Sequence, residues 1–243
     1  MKVPIKRKGF GIVLCLKLSA IGFAFQFFAC NEESPKKIIT EGEIKYEIEY
    51  LDDQRSNSLI PLLPNEMTTS FKPDATRTLI EGLFGTFKLI YILNQPAKTN
   101  YTLLQILDKK YVYQSPINDL AFGYQDMRKV KIVYSDKVKR IAGFKCKNAK
   151  AIIQNGKSDT VDIYFTKEIG LKYANINNPF KEIDGVLMEF TVNLVDINMK
   201  FTARKVIEKK VENKYFELPS GFVSITEERM HQLINDYNQS SSQ

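Results

Sequence analysis

The stretch Gly42-Glu43-Ile44-Lys45-Tyr46-Glu47-Ile48-Glu49-Tyr50 alternates without a break. Ile44, Tyr46, Ile48 and Tyr50 fall on one side, and Glu43, Lys45, Glu47 and Glu49 fall on the other. Successive side chains of a strand point to opposite faces, so the pattern predicts a strand with one buried and one wet face. A face of this kind needs a partner layer, which makes the stretch the seed of a large half-buried sheet.

Downstream of it the same signal recurs. Strands are predicted at 67–73, 76–83, 86–94 and 100–107, with turn chemistry at Asn94-Gln95-Pro96 and Asp108-Lys109-Lys110. Residues 115–128 lose the period and hold room for a short helix. Strands resume at 130–135, 137–141, 144–154 and 159–166, the last two joined by Asn155-Gly156, a strong hairpin signal because both residues tolerate positive φ. A polar loop at 175–184 precedes strands at 186–194 and 197–208. A helix is predicted at 224–237, capped by Thr226 with Glu227 and Glu228 in its first turn. The short connections favour antiparallel pairing, and no strand–helix repeat marks a parallel sheet.

Upstream, composition changes abruptly. The 243-residue chain carries a net charge of +7. Lys2, Lys6, Arg7, Lys8 and Lys17 supply five of those charges before residue 30, which leaves 30 basic against 28 acidic side chains in the rest. A nearly neutral body has no electrostatic footprint for nucleic acid. The basic stretch leads into an apolar run at 18–29, suited to a secretory signal and shorter than the roughly 20 residues that span a bilayer. Extending the run back to Gly9 would place Lys17 mid-membrane at about 3 kcal/mol. Phe27-Phe28-Ala29-Cys30 resembles a bacterial lipobox, with an apolar residue at −3, a small one at −1, and the thiol that takes the lipid. Residues 1–29 are therefore expected to be a lipoprotein signal peptide, Cys30 the lipidation site, and residues 30–41 a polar tether. Attached acyl chains contribute about 0.8 kcal/mol per buried CH₂. Asn31-Glu32-Glu33 lacks an Asp after the Cys and resembles the export signal of surface lipoproteins. The expected location is the outer membrane, facing the periplasm or the cell surface. With Cys15 removed and Cys30 acylated, Cys146 is left without a disulfide partner.

Three further stretches carry a family resemblance: Ile141-Ala142-Gly143-Phe144-Lys145-Cys146-Lys147-Asn148-Ala149, Asp184-Gly185-Val186-Leu187-Met188-Glu189, and Phe216-Glu217-Leu218-Pro219-Ser220-Gly221-Phe222. Their order resembles uncharacterised Bacteroidetes lipoproteins with a domain like the LolA/LolB lipoprotein carriers, and the first two resemble the GLPGLI family. Over residues 42–225 the resemblance implies a mainly β (α+β) fold. It would be a curved antiparallel sheet forming an incomplete barrel, with a few short helices on the concave side, followed by a C-terminal helix and tail at 226–243. In the carriers that concavity holds acyl chains.

Strands 86–94 and 100–107 are apolar on both faces, as expected for central strands covered on two sides or for strands lining a pocket. A hollow bounded by Leu89, Tyr91, Leu103, Met188, Phe190 and Phe201 would favour a lipid or other apolar ligand; tight packing there would favour a structural module with an envelope protein partner. Catalytic chemistry finds little to work with. His231 sits on a polar helical stretch and is expected at the surface. Cys146 lies between lysines that alternation sends to the opposite face. Asp52-Asp53 point opposite ways in a strand, and Glu227-Glu228 complement a helix dipole. Gly82-Leu83-Phe84-Gly85 lacks the Lys-Ser/Thr of a phosphate loop. One His and three Cys suit no usual zinc site. No enzyme activity, cofactor, metal or nucleic-acid partner is expected.

Overall fold

In the computed structural model, which describes residues 37–51, 64–82, 85–155, 157–195 and 197–240, the alternating stretch forms β1 (Gly42–Tyr50). Its apolar side chains Ile44, Tyr46 and Ile48 are buried. The chain continues through β2 (Glu66–Lys72), β3 (Ala75–Glu81), β4 (Phe87–Asn94), β5 (Thr99–Ile106) and β6 (Lys109–Ser115). After a crossing segment come β7 (Val130–Ile141), β8 (Phe144–Asn155), β9 (Lys157–Thr166), β10 (Val186–Leu194) and β11 (Ile197–Glu208). A two-residue β12 (Val223–Ser224) and the helix α1 (Glu227–Ser240) finish it.

The twelve strands of the described residues share one open sheet, ordered β12-β6-β5-β4-β3-β2-β1-β11-β10-β9-β8-β7. It consists of two antiparallel meanders joined by the pairing of β1 with β11, and β12 adds to β6 in parallel. Strands β6 and β7 therefore stand ten places apart although only residues 116–129 connect them. In a flat sheet, at roughly 4.8 Å per strand, that gap would be about 48 Å. Fourteen fully extended residues reach about that far, but these are not extended: they include a 3₁₀ turn at Gln125–Met127. The sheet must curl, and the segment crosses its concave side. Ala121 N–H donates to Asn177 O at 2.8 Å, and Val195 N–H donates to Gly123 O at 3.1 Å.

The concave side holds the main core. Tyr46 of β1, Phe71 of β2, Tyr91 of β4, Phe165 of β9 and Phe190 of β10 belong to one buried cluster, with Met127 of the crossing segment and Phe180 of the β9–β10 loop. Burying each such side chain contributes roughly 1.5–3 kcal/mol. Strands β4 and β5 are covered on both faces. Their register pairs Leu89 with Leu104 and Tyr91 with Thr102 on the concave face, and Ile90 with Leu103 on the other. The outer cluster of Ile90, Ile92, Leu103 and Val112 is covered in part by Phe222.

Several sequence expectations change in detail. Residues 130–135 and 137–141 are one strand, because a bulge between Ser135 and Val138 absorbs the break in alternation. Strand β6 is not among the expected strands: it begins at Lys109, inside the expected turn, because the two-residue turn is Leu107-Asp108, with exposed Leu107 at φ +56°. An apolar residue in that conformation gives no turn signal in sequence. Among the described residues, the concave side is filled by irregular segments more than by helices: the 3₁₀ turn Gln125–Met127 lies there, whereas Asn213–Phe216 buries Phe216 in a separate cluster with Ala75 and Val211. The end of the expected tether is already held by the fold, since Ile39 bridges to Ile169 and Glu41 accepts the Val211 N–H. The β8–β9 hairpin is present, pairing Asn155 with Lys157; Gly156 itself lies outside the described residues. The helix begins as expected, with Thr226 Oγ1 accepting Arg229 N–H at 3.3 Å.

Candidate functional site: cavities on the concave face

Alternation along β1, β3, β4 and β10 sends one row of side chains from each strand into the concavity, where they do not quite close against each other. One cavity of about 100 Å³ lies between β1–β3 and β10. Tyr46, Tyr91, Tyr124 and Phe190 give it aromatic walls, and Thr78 and Asn175 add neutral polar groups. Most of these polar groups are already used within the fold. Tyr46 Oη donates to Leu187 O at 2.9 Å, and Tyr91 Oη donates to Phe122 O at 3.0 Å. Thr78 shares a 2.9 Å hydrogen bond with Thr69, and Asn175 Nδ2 donates to Ile183 O and Gly185 O at 2.8 and 2.9 Å. Tyr91 stacks on Tyr124, with ring centroids 6.2 Å apart. Burial holds the Tyr46, Tyr91 and Tyr124 phenols well above their ordinary pKa.

A second cavity, about 90 Å³, lies nearer the rim and is lined mainly by apolar groups. Leu89 of β4, Leu194 of β10 and Met199 of β11 line it, and Ile234 and Tyr237 of α1 cover it. Tyr237 stacks on Phe87 at 5.2 Å. Leu89 and Leu194 belong to strands five places apart, about 24 Å in a flat sheet, so this cavity exists only because the sheet is curled. Among the described residues, neither lining includes a charged side chain. The described linings of the concave face therefore suit neutral or apolar matter.

The six residues expected to bound one hollow are dispersed. Leu89 lines the rim cavity; Tyr91 and Phe190 line the inner one. Met188 and Phe201 are fully buried in packed core, with Phe201 stacked on Phe190 at 5.2 Å. Leu103 is on the opposite face of the sheet, because its partner across β4 is Ile90 rather than Leu89. Sequence reasoning missed Tyr46, although the β1 alternation marked it as inward-facing, and it missed Ile234 and Tyr237, whose role depends on where the terminal helix docks.

Cys146 is fully buried and Lys145 and Lys147 are exposed, as alternation requires. Burial pushes its thiol up to about 11, which makes it unreactive at neutral pH. His231, expected at the surface, instead lies half-buried with its ring 4.5 Å from that of Phe122. Cys30, the signal stretch and Asp52-Asp53 lie outside the described residues, as do Leu83 and Phe84 of the Gly82–85 stretch. Among the described residues no helix is long and apolar enough to cross a membrane.

No protein-family model and no curated protein matches the chain. It is similar in structure to PNGF-II in two different space groups, with TM-scores of 0.51 and 0.52 at 12% and 11% identity. The likeness covers 83% and 80% of this chain, which spans about a third of those chains, 34% and 32%. At such identity it concerns the fold alone.

Proposed function

We propose that this chain is an outer-membrane lipoprotein, tethered through Cys30, whose sheet is a LolA-like half-barrel that binds a lipid chain or another apolar ligand on its concave side. The observation that carries this reading is the uncharged rim cavity between the two meanders, covered by Ile234 and Tyr237 of α1. Its volume of about 90 Å³ is below the roughly 150 Å³ of a dry cavity that admits benzene. A longer chain enters only if α1 shifts outward. That shift separates Met230 and Ile234 from Leu104 and Phe122, a small cluster compared with the main core.

The competing reading is a structural or interaction lipoprotein with a filled core. The tight burial of Met188, Phe190 and Phe201 at the centre of the concavity favours it.

One experiment addresses both parts. The protein is isolated from its native membrane, its N-terminal peptide is mass-analysed, and a lipid extract is taken from the folded domain. The binding reading expects an acylated Cys30 and a stoichiometric apolar molecule that an environment-sensitive dye displaces. An intact Met1 or a free Cys30 thiol defeats the tether. An acylated Cys30 with no bound molecule and no dye displacement leaves the structural reading.

A further inference from the structure

A third concavity lies at the first turn of α1, and its lining shares no residue with the two cavities described so far. It is an open cleft of about 320 Å³, within the roughly 300–1,000 Å³ of small-molecule sites. Four elements meet there. Strand β6 contributes Tyr113; the crossing segment contributes Asp119, Gln125 and Arg128; the β9–β10 loop contributes Lys181; the first turn of α1 contributes Glu227.

Its charges are arranged unusually. Glu227 is held by neutral donors: Tyr113 Oη donates to its Oε2 at 3.0 Å, and Gln125 Nε2 donates to its Oε1. Gln125 is itself fixed, because its Oε1 accepts the Gly123 N–H at 2.9 Å. The carboxylate is thus oriented without being neutralised, and its two oxygens keep room for further donors. Two cations, Arg128 and Lys181, line the same cleft. Elsewhere on this surface acids and bases pair freely, as in Lys139–Glu189 at 2.7 Å and Lys209–Glu43 at 2.6 Å. Here, among the described residues, neither Arg128 nor Lys181 is within ion-pair distance of Asp119 or Glu227, and none of the four pairs with a charge elsewhere. Two positive and two negative groups face one space and are kept apart by it.

We infer that this cleft binds a small zwitterion, a molecule with a primary ammonium a few bonds from an anionic oxygen group. The ammonium is received by Glu227 and Asp119, and the anionic group by Arg128 and Lys181, with the guanidinium fork suited to two oxygens at once. Such chemistry occurs in free amino acids and in the phosphoethanolamine headgroup of a lipid. The inference does not depend on the apolar cavity.

The test is calorimetric titration of the full chain with β-alanine, with glycerophosphoethanolamine, and with the half-ligands ethanolamine and inorganic phosphate. At low salt a zwitterion should saturate with Kd of about 1 mM or tighter, at least tenfold tighter than either half. Arg128→Gln and Asp119→Asn, both at exposed positions, should each weaken it about fivefold or more with the melting temperature unchanged. Glu227→Gln should weaken binding likewise by removing charge, whatever it does to the melting temperature. Tighter binding of glycerophosphoethanolamine assigns the cleft to a lipid headgroup, and tighter binding of β-alanine assigns it to free amino acids. The inference is overturned if neither zwitterion binds, if the halves bind as well as the whole, or if binding ignores all three substitutions.

Discussion

Replacing Ile234 by Ala tests whether α1 is a working part of the concave face. Ile234 is 4% exposed and packs with Met230, Leu104 and Phe122 while covering the rim cavity. Truncation of a buried Ile to Ala costs about 2–5 kcal/mol, the transfer of the lost methyl groups plus the space left behind. At roughly 2–4 °C per kcal/mol for a domain of this size, the melting temperature should fall by about 4–20 °C. The vacated volume adds to the existing 90 Å³ and should take the cavity past the roughly 150 Å³ at which benzene binds. Benzene should then restore part of the loss, about 1.4 kcal/mol at a free concentration tenfold above its Kd. The assay is thermal unfolding of wild type and variant, with and without benzene. A loss below about 1 kcal/mol would show that α1 does not pack here. A full loss with no benzene rescue would show that the space collapses, and would refute the cavity argument.

Gly123 has φ +96°, and a Cβ there would lie 2.8 Å from Leu194 Cδ1. Gly123→Ala should therefore cost about 2–4 kcal/mol, from an unfavourable φ together with overpacking, measured by denaturant unfolding. Tyr46→Phe leaves the Leu187 carbonyl without its 2.9 Å donor and should cost about 1–3 kcal/mol, read in the same way. Stability should fall on the alkaline side. Burial raises the Tyr46, Tyr91 and Tyr124 phenols, and burial with the Glu227 hydrogen bond raises Tyr113 to about 12. The folded chain keeps these protons while the unfolded chain releases them near pH 10, so their contribution is complete below about pH 10 and is lost as pH rises toward 12 and beyond. Phenolate absorbance should rise together with unfolding; titration of all the tyrosines near pH 10 with the fold intact would contradict the burial.

The hydrophobic period is legible in most strands with one wet face, β6 being the exception. β1, β10 and β11 emerge within a residue of their sequence bounds, and Thr226 marks the start of α1. The doubly apolar β4 and β5 announced themselves as covered on both sides, but alternation alone could not say which row faced inward. That depends on register, because one residue of slip exchanges the faces, and so the sequence does not separate Leu103 from Leu89 and Tyr91. Strand β6 is missed altogether by sequence reading, since Lys109 and Lys110 at the hairpin end look like the turn itself and leave only Tyr111-Val112-Tyr113 as an apolar signal.

What the residues determine by themselves is local: strand positions from a period of two, the terminal helix from its cap, the burial of Cys146 between lysines, and the change of composition around Cys30. Each follows from neighbours within a few positions. The curl of the sheet, the passage of residues 116–129 across it, the docking of α1 beside β4 and the meeting of Arg128, Lys181, Asp119 and Glu227 belong to the tertiary structure alone. They follow from strand order, which brings together residues as far apart as Tyr113 and Glu227, and no local pattern encodes a distance of that kind.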